Sequence, residues 1–328
     1  MRRLFTKRRV LIVVPVGLLL AAFLSVWLLW LGPGPAREDT NLIVAEGSSV
    51  TRVADQLAEQ GLIRGGAGSF RMFARVFGSG DPVQTGEFVI PRGASAARIL
   101  DMLQHGRPVV RTVVIPEGLP SVLVRDRLLA AQYLTGDVPV PVEGSVLPGG
   151  YTYRRGESRA AVLARMQSAM TAELARLWAQ RSPNSAVSSP RDAIILASIV
   201  EKETAKAAER RIVAGVYSNR LRQHMPLQAD PTVIYPVTQG RPLGRRILAS
   251  ELRARNGYNT YVITGLPEGP IANPGRASIA AVLDPAPTPA LYFVADGTGG
   301  HVFANTLAEH DANVERWRAI RRARGEIP

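Results

Sequence analysis

From Val10 to Leu31 the chain reads VLIVVPVGLLLAAFLSVWLLWL, 22 residues without a charge. At about 1.5 Å per helical residue this stretch covers a bilayer's hydrocarbon core of roughly 30 Å. It predicts a transmembrane helix at residues 10–31, preceded by a cytoplasmic basic tail at residues 1–9. Arg2, Arg3, Lys7, Arg8 and Arg9 stand in that tail, so the positive-inside rule keeps the N-terminus in the cytoplasm and sends everything after the helix outside. The competing reading is a cleaved signal peptide. Its apolar region would run about 7–15 residues before a small-x-small cleavage site, which LLWLGPGPA resembles poorly.

A chain of 328 residues that is 46% hydrophobic can bury a core and divide into about two domains. Of the net charge of +13, the five basic residues of the tail supply five. The remaining excess is scattered and mostly arginine, without the basic-aromatic interleaving of a single-strand binder, so no nucleic-acid partner is expected. An anionic membrane or wall polymer suits the charge better. Cysteine is absent, which removes disulfides, thiolate chemistry and Cys-ligated zinc. The four histidines, His105, His224, His301 and His310, form no H-E-x-x-H pair, and no P-loop, dinucleotide fingerprint or G-x-S-x-G elbow occurs. No metal and no cofactor are therefore expected.

Residues 32–40 form a Pro/Gly-rich, charged linker. Three strand-turn-helix units follow, with strands ending at Gly47, Gly93 and Gly118 and apolar residues returning six and ten positions later, the spacing of one helix face. Ser49 and Ser95 stand as N-caps of the first two helices. Amphipathic helix is expected from Ser158 to about Gln180, and another from Ser189, as N-cap, through Pro190 in the first turn. A helix from Glu209 to Gln223 follows, then extended pieces around LQADPTVIY and YNTYVITG. Leu291–Ala295 and His301–Ala304 read as a hairpin about a glycine turn, and Thr306 and Glu309 are spaced as a capping box for a last helix. The fold class expected is α+β: a small α+β domain at 41–110 and a mixed α/β domain at 111–328.

On a helix through Pro190–Ala205, setting Ile199 to zero places Ile195 at about −40°, Leu196 at about 60° and Val200 at about 100°. Glu203 falls at about 40°, inside that apolar stripe, whereas Glu201 falls near about 200°, where water is expected. A carboxyl group drawn into an apolar face loses hydration, which favours its neutral form and raises its pKa. Such a group can donate a proton near neutral pH. Pairing of Glu203 with Lys206 or Arg210 is the plainer alternative. Downstream lie Asn219, Gln228, Asp230, Thr232, Asn259 and Asn273, and five of the eight tyrosines fall between residues 217 and 292. Amides, hydroxyls and aromatic faces match a sugar polymer, with strand packing the ordinary account of the tyrosines.

ASIVEKETAKAAERRIVAGVYSNRL, LQADPTVIY, YNTYVITGLPEGPIANPG and LYFVADGTGGHVF, in this order, resemble the MltG/YceG-like family of endolytic murein transglycosylases. The resemblance implies a bacterial inner-membrane protein with a LysM-like domain at 41–110 and a catalytic YceG-like domain at 111–328, facing the periplasm. It further implies cleavage of nascent peptidoglycan glycan strands at the MurNAc-GlcNAc bond to leave 1,6-anhydro-MurNAc ends. Glycan polymerases and transpeptidases of wall synthesis are its implied partners. The family's catalytic acid corresponds to Glu203, the residue that the helical wheel also selects. Gln228, Asp230, Asn219, Tyr258 and Asn259 are the expected groove residues, and Asp230 is the best candidate for a second charge. Where relatives tend to carry a P-D-T-Y-like run, this chain has Leu147-Pro148-Gly149-Gly150-Tyr151. A non-catalytic wall-binding scaffold and a water-using muramidase are the alternatives.

Overall fold

The computed structural model describes residues 15–326. The basic tail and residues 10–14 of the expected span lie outside the described residues. Among those described, no helix is long and apolar enough to cross a membrane. Residues 15–26 are helical and run into a π-helical turn, Trp27–Leu31. Leu18, Leu19, Leu20, Phe23, Leu24 and Trp27 are exposed along this segment, whereas Trp30 is buried.

The chain forms two compact units, Met1–Arg111 with Arg154–Gly156, and Thr112–Tyr153 with Glu157–Pro328. In the first, β1 (Thr40–Val44), α1 (Val50–Glu59), α2 (Gly66–Phe77), β2 (Gly86–Ile90) and α3 (Ala96–His105) follow in order. β1 and β2 are antiparallel, with Leu42 opposite Phe88. Alternation directs Leu42 and Val44 inward and leaves Ile43 exposed, as the two-residue period of a strand requires. Ser49 and Ser95 accept hydrogen bonds from the amides of Arg52 and Arg98, so both expected caps are present. Trp30 packs with Phe70 and Phe73 of α2 at 5.7 and 5.8 Å between ring centroids. The glycines that open α2 hid this helix from the sequence pattern.

The second unit contains β3 (Val110–Ile115), whose first residues belong to the other unit, α4 (Ser121–Ala130), β4 (Gly149–Arg154) and α5 (Arg159–Ala179). Beyond them come α6 (Pro190–Glu203), α7 (Arg210–Arg222), α8 (Asp230–Thr238), α9 (Ala249–Leu252), α10 (Arg276–Leu283), β5 (Tyr292–Ala295), β6 (His301–Ala304) and α11 (Leu307–Ala323). Its sheets are two-stranded, β3 with β4 and β5 antiparallel to β6. The molecule is thus α+β, and the core of this unit is helical: Leu196, Ile199 and Val200 of α6 meet Val213, Ala214 and Tyr217 of α7 and Ile279 and Val282 of α10. Every residue from Ala193 to Val200 is buried. The single apolar stripe expected of α6 is therefore corrected to a helix enclosed on all sides, as an all-round hydrophobic sequence requires.

LQADPTVIY is also corrected. From Asp230 it is the helix α8, with Pro231 in the first turn, where a missing N–H costs nothing. Burial of Thr232 and Val233 outweighs the strand preference of this β-branched run. YNTYVITG forms turns. The hairpin and the Thr306–Glu309 capping box are present as expected.

Candidate active site

Helix α6 carries Glu203 to the edge of the core. Ser189 caps its start by accepting from the Asp192 amide, Pro190 occupies the first turn, and Thr204 turns extended to end it. Glu203 is the last helical residue and only partly exposed. Burial pushes its carboxyl up to about 7, the Tyr217 hydroxyl opposes this by donating a hydrogen bond, and the nearby Asp230 charge adds to the rise. The group thus holds a proton near neutrality while it keeps a path to solvent.

Tyr217 comes from α7 and is 2% exposed. Its ring meets Phe293 of β5 edge-on at 5.7 Å. Burial and the neighbouring Glu203 hold this phenol protonated, well above its ordinary pKa, so its O–H is available to the carboxyl group as a donor. Three residues further along α7, Arg220 spans the connection to α8: Nε donates to the Leu291 carbonyl at 2.7 Å, and Nη1 donates to Pro226 and Leu227 carbonyls at 3.1 Å and to Gln228 Oε1 at 3.2 Å. Gln228 has φ of 52°, a left-handed conformation uncommon without glycine, and its amide donates to the Thr260 carbonyl.

The start of α8 is tied to the 256–261 loop. The Ala229 amide donates to Thr260 Oγ1 at 3.0 Å, Thr232 and Thr260 hydroxyls lie 2.8 Å apart, and the Tyr261 hydroxyl donates to Asp230 Oδ1 at 2.6 Å. Of the residues expected from sequence, Asp230 lies close enough for its charge to act on Glu203, whereas Gln228 is held by Arg220 and Thr260.

The other three expected residues lie differently. Asn219 donates its amide to the carbonyls of Thr288 and Ala290 at 2.8 and 3.0 Å, which fastens the segment before β5. Asn259 is fully buried; it donates to the carbonyls of Glu251, Leu252 and Ala254 and accepts from the Tyr261 amide. These amides are engaged with backbone and hold the frame of the site. Tyr258 stands beside Tyr235, 4.9 Å between centroids, in a cleft that also contains Glu143.

Glu201 is not on the water side that the wheel assigns it. Its side chain is 6% exposed, accepts from the Gly275 amide at 2.8 Å and lies 3.7 Å from Arg210. Gly118, at φ of 70°, passes so close that a β-carbon there would sit 3.2 Å from Glu201 Cγ. Glu201 thus pairs with Arg210 in a setting enclosed by the surrounding backbone. Thus two acids separated by one residue have different fates, one locked in structure and one at an opening.

The β5–β6 hairpin braces the exit of α6. His301 Nδ1 lies 2.7 Å from Glu209 Oε2, the His301 amide donates to Glu209 Oε1, and Thr204 Oγ1 donates to Glu209. Burial acts against ionisation of Glu209, but these bonds outweigh it and hold its carboxyl below the usual range. Gly149 adopts φ of 155°, a conformation that a β-carbon disfavours. Among the described residues, no group of three His, Asp or Glu is placed to hold a metal ion. Tyr217 and Tyr261 were visible in the sequence only as members of a tyrosine-rich stretch, and Arg220 and Glu143 left no signal there.

The family model of the YceG-like family matches residues 42–316. An endolytic murein transglycosylase of Bacillus subtilis is 34% identical over 177 residues, covering 54% of this chain and 48% of its own length. A protein of the same name from Streptococcus pneumoniae serotype 2 is 29% identical over 321 residues, covering 83% of this chain and 57% of its own length. The chain spans about half the length of these curated relatives. The crystal structure of a putative YceG-like protein from Listeria monocytogenes, 26% identical, superposes with a TM-score of 0.53 over 84% of this chain and 99% of that one. With a family model that matches most of its length, the chain belongs to the YceG-like family.

Proposed function

We propose that this protein is a membrane-anchored endolytic lytic transglycosylase of peptidoglycan, the activity named for its relatives in Bacillus and Streptococcus. The observation that carries this reading is Glu203, a carboxyl group raised to about 7 at the mouth of an apolar helix. Protonated, it gives its proton to the glycosidic oxygen between MurNAc and GlcNAc. As carboxylate, it then takes the proton of the muramic acid's own 6-hydroxyl while that oxygen closes on C1. The bond to the leaving sugar breaks, the 1,6-anhydro ring forms, and one group serves as acid and base in turn. The tethered nucleophile brings its own orientation advantage.

Asp230, held by Tyr261, supplies negative charge beside the oxocarbenium-like state. Gln228 and Tyr258 contact the glycan, whereas Asn219 and Asn259 keep the surrounding loops in place. Exposed apolar side chains along residues 16–31 support anchoring in the inner membrane with the body in the periplasm. The strand-helix-helix-strand order of the first unit supports the LysM-like reading. Glycan polymerases and transpeptidases are the partners that a substrate of nascent strands calls for.

Asp230 also favours a second reading, because a second carboxyl group whose charge reaches the acid is what a water-using muramidase requires. Digestion of uncrosslinked glycan by the full chain, followed by mass spectrometry, separates the two. Anhydro ends, lighter by one water, are expected; reducing ends establish the muramidase, and binding without products establishes a scaffold.

A further inference from the structure

The apolar N-terminal segment is not joined to the first unit by a loose tether. Trp30, 4% exposed, sits in the core of that unit against Phe70, Phe73 and Phe77 of α2, at 5.7, 5.8 and 6.5 Å between ring centroids. Val26 and Leu29 pack against the same core, and a β-carbon on Gly65, just before α2, would lie 3.0 Å from Leu29 Cδ2. The residues that follow are bound as well. The Gly34 amide donates to the Gly93 carbonyl at 3.1 Å, and the Gly93 amide donates to the Ala36 carbonyl at 2.9 Å. Residues 26–36 are thus part of the first unit's fold, and whatever surface receives residues 15–25 lies directly against that unit.

Helix α2, which holds Trp30, carries an exposed apolar stripe beside it. Met72 and Val76, one turn apart, are 54% and 66% exposed, and Phe77, stacked on Phe73 at 6.0 Å, is 54% exposed. Arg71 and Arg75, also one turn apart, are exposed on the same helix, and Arg64 stands just before it; Arg71 also pairs with Asp55 of α1 at 3.1 Å. A cleft of about 710 Å³ opens here, lined by Val50, Met72, Arg75, Val76, Leu100 and Asp81 among others. Trp27 and Leu31, on either side of the buried Trp30 in sequence, are exposed in turn, so apolar surface passes from the N-terminal segment to α2 through the Trp30–Phe77 contact. An apolar stripe with arginines on the same helix and aromatic rings at its margin suits the headgroup region of an acidic bilayer. A protein partner would match the stripe as well, but not its continuity with a segment that enters a bilayer.

We infer that α2 is a second membrane contact, its Met72, Val76 and Phe77 side chains set into the headgroup region of an acidic bilayer and its arginines on lipid phosphates. The inference rests on the anchoring reading given above. A single apolar helix face holds a surface weakly, whereas two contacts joined rigidly act together, so the first unit is fixed on the membrane rather than swung from it.

The test uses the absence of cysteine from the chain, which makes any introduced thiol unique. Phe23→Cys, Met72→Cys and Val76→Cys, all at exposed positions, each carry an environment-sensitive fluorophore in the full chain. The protein is reconstituted in vesicles of phosphatidylglycerol and phosphatidylethanolamine, with or without a lipid spin-labelled near its headgroup. Labels at Met72→Cys and Val76→Cys are expected to lose emission to the spin-labelled lipid, to shift to the blue and to be shielded from iodide in the water. Arg75→Glu, or phosphatidylcholine in place of phosphatidylglycerol, is expected to reduce that loss. Labels at these two positions that ignore the spin-labelled lipid and stay open to iodide, while the label at Phe23→Cys is sealed from iodide, overturn the α2 contact and leave the anchor standing. A loss of emission that survives both changes of charge overturns the choice of an acidic lipid surface as partner. A label at Phe23→Cys that is open to iodide overturns the anchoring reading and the α2 contact with it.

Discussion

The buried hydroxyl of Tyr217 donates to the carboxyl group of Glu203, joining the middle of α7 to the last residue of α6. This bond opposes the burial that raises Glu203, so the tyrosine both aims the acid and tempers it. Tyr217→Phe keeps the ring against Phe293 and removes only the donor. The alkaline limb of kcat/KM is expected to move to higher pH and the rate at neutrality to fall about tenfold, the loss of one aiming hydrogen bond worth about 1.4 kcal/mol. An unmoved limb measured on glycan strands contradicts this role.

Asp230 acts on Glu203 in the opposite sense, its charge favouring the protonated form. Asp230→Asn is expected to shift the alkaline limb downward, opposite to Tyr217→Phe. The two variants measured over one pH series test the electrostatic account by the sign of their shifts.

Stability carries the same signature. Glu203 is raised from 4.5 to about 7 in the folded protein. Below pH about 4.5 it is protonated in both states; above that the unfolded chain ionises first, and stability falls as pH rises to about 7. Glu203→Gln removes this loss. Urea denaturation is expected to show the variant gaining on the wild type between those pH values by about 3 kcal/mol.

Glu201 predicts a different outcome. Its carboxylate accepts from Gly275 and faces Arg210 in a closed setting, so Glu201→Ala leaves the buried Gly275 amide without its acceptor and Arg210 with Glu117 as its remaining carboxylate. A loss of about 1–3 kcal/mol in denaturant titration is expected, with the folded fraction retaining far more activity than Glu203→Gln.

Asn259 supports three carbonyls at once. Asn259→Ala is expected to cost about 2 kcal/mol or more and to loosen the 256–261 loop, read as faster amide hydrogen exchange at Tyr261.

What could be read from sequence follows the range of the interactions involved. Ser49, Ser95, Ser189 and the Thr306–Glu309 pair cap helices through partners three residues away, so local pattern reveals them. Glu203 was legible because an acid near the end of an apolar run is out of place wherever the chain folds. Glu201 was misread because a wheel assumes one buried face, and α6 is enclosed by α7 and α10. Asn219 bonds to carbonyls about 70 residues away, and Tyr217 reaches Glu203 only after α7 folds back on α6. Nothing local distinguishes such polar groups from those that meet a ligand.

The central claim is that Glu203 keeps its proton near neutral pH. The most direct measurement is the pH titration of its side-chain carbon resonance in the full chain labelled with 13C-glutamate, assigned by difference from Glu203→Gln. A midpoint near 7 is predicted, moving upward in Tyr217→Phe. A midpoint near the ordinary 4.5, unaffected by Tyr217, would contradict it.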